Sequence, residues 1–131
     1  MMFGVQPRVH NPVAPPGGRQ HPVAFAGTYI GHKHPHRREQ MEIVLDPARD
    51  YGLHIFSRVP SGQADRFEWP EKYRSHIVGS LPYERMVTAF KAYRLFLNVN
   101  SVVGSPTMCA RRAFEISATA TPVLSGDSVA L

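Results

Sequence analysis

The sequence predicts an α/β fold, a layered domain on a mainly parallel sheet with helices against it. Three observations predict this. Short apolar runs alternate with segments of helical periodicity along most of the 131 residues. The apolar runs are brief and end on glycine or polar residues, as buried strands do. Hydrophobic residues make up 43% and charged residues 19% of the chain, a balance that supports one domain with a real core.

Each element has its own signal. Residues 1–21, with "NPVAPPGGRQHP", are rich in proline and glycine and read as a linker or an arm lying on something else. The domain proper spans 22–131. "PVAFAG" (22–27) is the first strand. "HRREQMEIVLDPARDYG" (36–52) places Met41, Val44, Leu45 and Ala48 at helical spacing, with Gly52 as a stop and Pro47 as a kink. "LHIFSR" (53–58) is the second strand. "SGQADRFEWPEKYRS" (61–75) is polar and reads as a loop with a short helical turn. "HIVGSL" (76–81) is the third strand. "PYERMVTAFKAY" (82–93) opens with proline at a helix start and repeats Met86, Ala89, Phe90 and Tyr93 on one face. "RLFLNVN" (94–100) is the fourth strand, "MCARRAFEISATA" (108–120) a helix, and "TPVLS" (121–125) the fifth strand. "GDSVAL" is too short to give that strand its own covering helix. A parallel sheet wants both faces covered, so the chain is expected to be truncated or to lean on another domain at both ends.

The net charge is +5 and the pI about 9.8, which favours an anionic partner. The basic residues cluster locally, at "HKHPHRR" (32–38) and at Arg111-Arg112, and suit a phosphate site better than a nucleic-acid track. No RNA-binding, helix-turn-helix or zinc-finger pattern occurs. No apolar run reaches the roughly 18 residues that span a bilayer, and the start is not a signal peptide. The lone Cys109 forms no internal disulfide and fits a reducing compartment. The expected location is therefore the cytoplasm.

Ligands of open α/β sheets bind beyond the carboxyl ends of the strands. The segments expected there are "GTYIGHKH", "SR", "GSL" and "NSVVGSPTM". Ser105 or Thr107 is placed to cap the last helix. Arg111 and Arg112 then put cations at a helix end that already carries partial positive charge, a conflict costing up to roughly 1 kcal/mol unless an anion arrives. The plain alternative is a surface pair between Arg111 and Glu115, worth about 0.3–0.5 kcal/mol. His32, His34 and His36 alternate, but Pro35 breaks the geometry and no acidic residue lies close, so no metal site is expected. No serine-nucleophile motif occurs.

The stretch "LNVNSVVGSPTMCARRAFEISATATPVLS" is similar to the nucleotide-binding half of two-domain, GT-B type glycosyltransferases of the group 1-like kind, and resembles the CgeB-like group in particular. That group joins "LN" and a polar loop to "R-x-F-E" and an "A-x-G-T-P-V" ending. "FGVQPRVHNPV" resembles its interdomain segment, and "VAFAGTY" the first strand and loop of its second domain. "VGSLPYERMVTAFKAYRLFLNVN" resembles the strand, helix and strand before the motif.

The resemblance implies a Rossmann-like donor-binding domain, the C-terminal half of a GT-B fold, that holds a nucleotide-diphosphate sugar as substrate and needs no cofactor. It implies that Glu115 binds the ribose hydroxyls, with Arg112 at the diphosphate; Arg111 joins the candidate site as the second cation at the helix end. The resemblance sets Thr107 and Met108 at the phosphates or sugar, Gly27 and Thr28 in a facing glycine loop, and Gly79 to Leu81 where the base rests. Two positions depart from the family pattern. Thr107 stands where many relatives carry a second glutamate, so sugar contacts are not carried over. Ala120 stands at the usual glycine of the ending, where its methyl is expected to crowd the helix end. The implied activity is sugar transfer to an unknown acceptor, completed by a missing N-terminal acceptor domain. The isolated chain is then expected to bind rather than turn over, and no residue is nominated as catalytic base. The rival readings are a non-catalytic nucleotide- or partner-binding remnant of the same fold and, on charge alone, a nucleic-acid-binding domain.

Overall fold

The computed structural model describes residues 4–13, 17–30, 35–59 and 67–131. Five strands form one sheet: β1 (His21–Gly27), β2 (Leu53–Ser57), β3 (Ile77–Gly79), β4 (Tyr93–Asn98) and β5 (Val123–Ser125). Their order is β3-β2-β1-β4-β5 and every pairing is parallel. The connections carry helices α1 (Pro35–Ala48), α2 (Glu71–Arg74), α3 (Tyr83–Ala92) and α4 (Arg111–Ala118). This is the Rossmann-like α/β arrangement expected from the sequence.

Alternation along β1 builds both sides of the sheet. Val23 and Phe25 point to one core, where Met41, Val44, Leu45 and Ala48 of α1 meet Trp69 and Tyr73. These are the four α1 positions picked out by helical spacing. Ala24 and Ala26 point to the other core, against Met86 and Phe90 of α3 and Ile116 of α4. Two alanines on that face let α3 and α4 approach the sheet closely. On the first face, Leu124 of β5 is 51% exposed.

Local chemistry sets the boundaries. Pro47 lies one residue from the end of α1, where the chain enters a 3₁₀ turn (Arg49–Tyr51). Gly52 then stops it at φ 75°, a left-handed conformation that glycine adopts without strain. Asp46 of α1 anchors α2, accepting from Lys72 Nζ at 2.8 Å and Tyr73 Oη at 2.6 Å. Burial raises the Asp46 pKa, but these two hydrogen bonds and the nearby cations outweigh it, and the carboxyl titrates below its usual range.

Two findings differ from the sequence reading of α4. The helix begins at Arg111, not at Met108, and neither Ser105 nor Thr107 caps it. Thr107 instead turns back, its backbone N–H donating to Ser105 Oγ at 3.3 Å. The approach to the helix is held by Asn100, whose Oδ1 accepts the Ala110 N–H at 2.9 Å. At the other end the Ala120 N–H bonds to Ser117 O and the Thr121 N–H to Ile116 O, closing a Schellman motif. Its left-handed residue is Ala120, at φ 55°. Ala120 is exposed, so its methyl does not crowd the helix end; the cost lies in the backbone angle.

The amino-terminal segment lies on α3 and α4. Lys91 Nζ donates to Asn11 Oδ1 at 3.0 Å. Arg19 reaches the carboxyl ends of both helices, donating to the carbonyls of Phe90, Lys91, Thr119 and Ala120 and to Thr121 Oγ1. A guanidinium there satisfies free carbonyls and opposes two helix dipoles at once.

Candidate functional site

The strand order reverses between β1 and β4, and in open parallel sheets that switch opens a crevice at the carboxyl ends. A cavity of about 450 Å³ occupies this place. Phe25 and Ala26 of β1 and Asn98 of β4 form its floor, and the loop after β4 adds Ser101 and Val102. Tyr83 and Met86 of α3 stand on one side. Met108, Cys109 and Ala110 lead into α4, which contributes Arg111, Arg112 and Glu115. Arg37 of α1 and Arg58, just past β2, complete the wall.

Four guanidinium groups and one carboxylate therefore share a single cavity. Arg112 donates to the Ala26 carbonyl, and Arg37 to Ser101 Oγ. Burial pushes the pKa of both arginines down; for Arg112 the attraction of Glu115 acts against this, while Arg58, Arg37 and Arg111 push further down. A guanidinium nevertheless stays protonated through the neutral range. Buried, mutually repelling cations are costly unless an anion joins them. Arg37 Nε is moreover buried without a hydrogen-bond partner among the described residues. Among the described residues no side chain caps α4, and Ala110, Arg111 and Arg112 at its positive dipole end line the same cavity.

Glu115 is 6% exposed. Its Oε1 lies 2.8 Å from Arg111 Nε and 3.9 Å from His10 Nε2. The Arg111–Glu115 pair weighed as the plain alternative is thus formed, though inside the wall of a cavity rather than on a free surface. His10 is buried, and its Nδ1 accepts the Gln6 N–H at 3.2 Å, which leaves the ring proton on Nε2, facing Glu115.

Of the residues expected at the site, the fold brings Met108, Arg111, Arg112 and Glu115 into one wall. Thr107 is exposed, next to Met108 but outside the wall. Gly27 and Thr28 lie behind it and hold Arg58. The Gly27 carbonyl accepts the Arg58 N–H at 3.0 Å, and Thr28 Oγ1 donates to the Arg58 carbonyl. A Cβ on Gly27 would come within 2.9 Å of the Phe25 ring, so glycine is needed there for packing. Gly79 ends β3 in the open at φ 139°, and Leu81 packs on the α3 core; neither lines the cavity.

Arg37, Arg58, Asn98, Ser101 and Tyr83 are additions the sequence reading did not single out. Their signals were indirect: Arg37 lies in the densest basic cluster, and Arg58 in the "SR" that follows the second strand. His32 and His34 lie outside the described residues; His36 is exposed, 3.9 Å from Glu39 Oε2. Among the described residues no group of three or more histidine, cysteine or acidic side chains is placed to hold a metal ion. No helix among them is long and apolar enough to cross a membrane.

No curated protein and no solved structure matches the chain significantly. A family model described as glycosyl transferase-like matches residues 33–130, from the basic cluster before α1 to the segment past β5, and so takes in all five strands but the first. With three quarters of its length inside that match, the chain belongs to the glycosyl transferase-like family.

Proposed function

We propose that this chain is the donor-binding half of a two-domain, CgeB-like glycosyltransferase and holds a nucleotide-diphosphate sugar at the switch-point cavity. The observation that supports it most is the meeting of Arg37, Arg58, Arg111 and Arg112 with the uncapped end of α4 around a single carboxylate. A diphosphate supplies the anion this arrangement lacks, and Glu115 is the acceptor for a pentose diol, since charged acceptors make the stronger hydrogen bonds.

The chemistry follows from charge. Transfer breaks the bond between the anomeric carbon and the β-phosphate oxygen, and negative charge gathers on the departing diphosphate. Fixed guanidinium and helix N–H donors stabilise that charge without reorganising. The arginines carry it with no cofactor. The acceptor and the group that deprotonates it belong to a partnering acceptor domain, so the isolated chain binds donor without turning it over. A reducing, cytoplasmic setting suits the lone Cys109.

Calorimetry with uridine, guanosine and thymidine diphosphates and with inorganic pyrophosphate tests this reading. Binding of at least one nucleoside diphosphate is expected, and it weakens as salt screens the cations. No binding of any of them rejects the proposal. The exposed Thr107, at the position where many relatives in the wider superfamily carry a second glutamate, favours a second reading, a nucleotide-binding remnant without chemistry. A labelled-sugar transfer assay on the longest natural form of the chain separates the two.

A further inference from the structure

The cavity has two chemically different ends. The α4 side presents guanidinium groups, with Glu115 one turn further in. The α3 side presents Tyr83 and Met86, three residues apart and so neighbours on one helix face. Met86 is buried in the α3 core, whereas Tyr83, one turn nearer the amino end, is 65% exposed.

Tyr83 differs from the other cavity and core tyrosines. Tyr29, Tyr73 and Tyr93 are buried, and their hydroxyls are hydrogen-bonded to Glu42, Asp46 and His54. Among the described residues Tyr83 makes no hydrogen bond and meets no other ring. An aromatic face left open in the wall of a binding cavity is a ready stacking surface.

We infer that Tyr83 is the platform on which the nucleobase of the bound nucleoside diphosphate stacks; this rests on the donor-site reading above. The one cavity holds cations and a carboxylate on α4 and an aromatic ring on α3, and a nucleoside diphosphate carries phosphates, a pentose and a base. The α3 part of the wall, Tyr83 and Met86, holds no amide or carboxylate to read a base edge. Recognition at this end is therefore by stacking and tolerates different bases, because every base has a π-face. Tyr83 sets affinity for nucleosides as a class.

The test is calorimetry on the full chain and its Tyr83→Ala and Tyr83→Phe variants, against uridine, guanosine and adenosine diphosphates and inorganic pyrophosphate. Tyr83→Ala is expected to weaken each nucleoside diphosphate about 5- to 100-fold and to leave pyrophosphate within about twofold. Tyr83→Phe keeps the ring and stays near wild type, and wild-type affinities for the three bases fall within about tenfold. Tyr83 is exposed, so both variants should melt with the parent. Unchanged nucleotide affinity in Tyr83→Ala, or an equal loss of pyrophosphate binding, overturns the stacking role alone. Wild-type chain that binds no nucleoside diphosphate overturns the donor-site reading and this inference together.

Discussion

Arg111 Nε stands 2.8 Å from Glu115 Oε1, so the cation that opens α4 and the carboxylate one turn later form an ion pair. Arg111 is 52% exposed on its side chain and Glu115 only 8%, which makes the arginine the movable partner. On the proposed reading, a bound diphosphate draws this guanidinium outward, and the carboxylate keeps its place 3.9 Å from His10 Nε2.

Glu115→Ala should separate the two halves of a nucleotide. Losing a charged hydrogen-bond acceptor is expected to weaken nucleoside diphosphate binding by roughly 1.5–3 kcal/mol. Pyrophosphate, which has no pentose, should bind at least as tightly as before, since a negative charge has left the cavity. Calorimetry reads both, and equal nucleotide affinities for wild type and variant would remove Glu115 from the site.

Cys109 offers a direct report on occupancy. It is the chain's one cysteine and it lines the cavity. A nucleoside diphosphate seated against α4 should slow its alkylation several-fold at saturation, and washing the ligand out should restore the rate. Mass spectrometry of the labelled chain gives the time course; a rate indifferent to ligand would place the nucleotide elsewhere.

The stability of α4 depends on an angle that alanine adopts at a cost. Ala120 sits at φ 55° in the Schellman position, where an L-residue costs about 1–2 kcal/mol. Ala120→Gly relieves that but adds freedom to the unfolded chain, leaving a net gain of about 0.5–1 kcal/mol. The midpoint of thermal unfolding should rise by a few degrees. Arg19 donates to the Ala120 carbonyl at 2.7 Å, and Arg19→Ala should lower the midpoint in both backgrounds.

Folding should weaken on mild acidification through His54. Its ring is packed against His21 and Tyr93, with Nδ1 2.9 Å from Tyr93 Oη. Burial, then the neighbouring His21 and His76, hold its pKa below the ordinary value. The unfolded chain thus takes up this proton more readily than the folded one. Stability from this group is complete above the unfolded pKa of about 6.5 and is lost as pH falls through the lower folded value. Urea midpoints between pH 8 and 5 should fall with pH, and His54→Gln should flatten that slope. Parallel slopes would clear His54 of the effect.

Much of this protein is decided within short windows of sequence. Apolar runs, helical spacing and glycine or proline stops are local signals, and they located all five strands and the buried face of α1. The arginine-pair helix and its Glu115 were readable for the same reason, because three or four residues along a helix place side chains on one side. What the sequence leaves open is which distant residues meet. Only the strand order β3-β2-β1-β4-β5 brings Arg37 and Arg58 to the arginines of α4, since parallel pairing collects the carboxyl ends of all strands on one edge. Asn100 rather than Ser105 secures the entry to α4 because the fold, not proximity along the chain, sets which acceptor lies within reach. Arg19 supports a strained alanine 101 positions away because the amino-terminal segment lies across the carboxyl ends of α3 and α4.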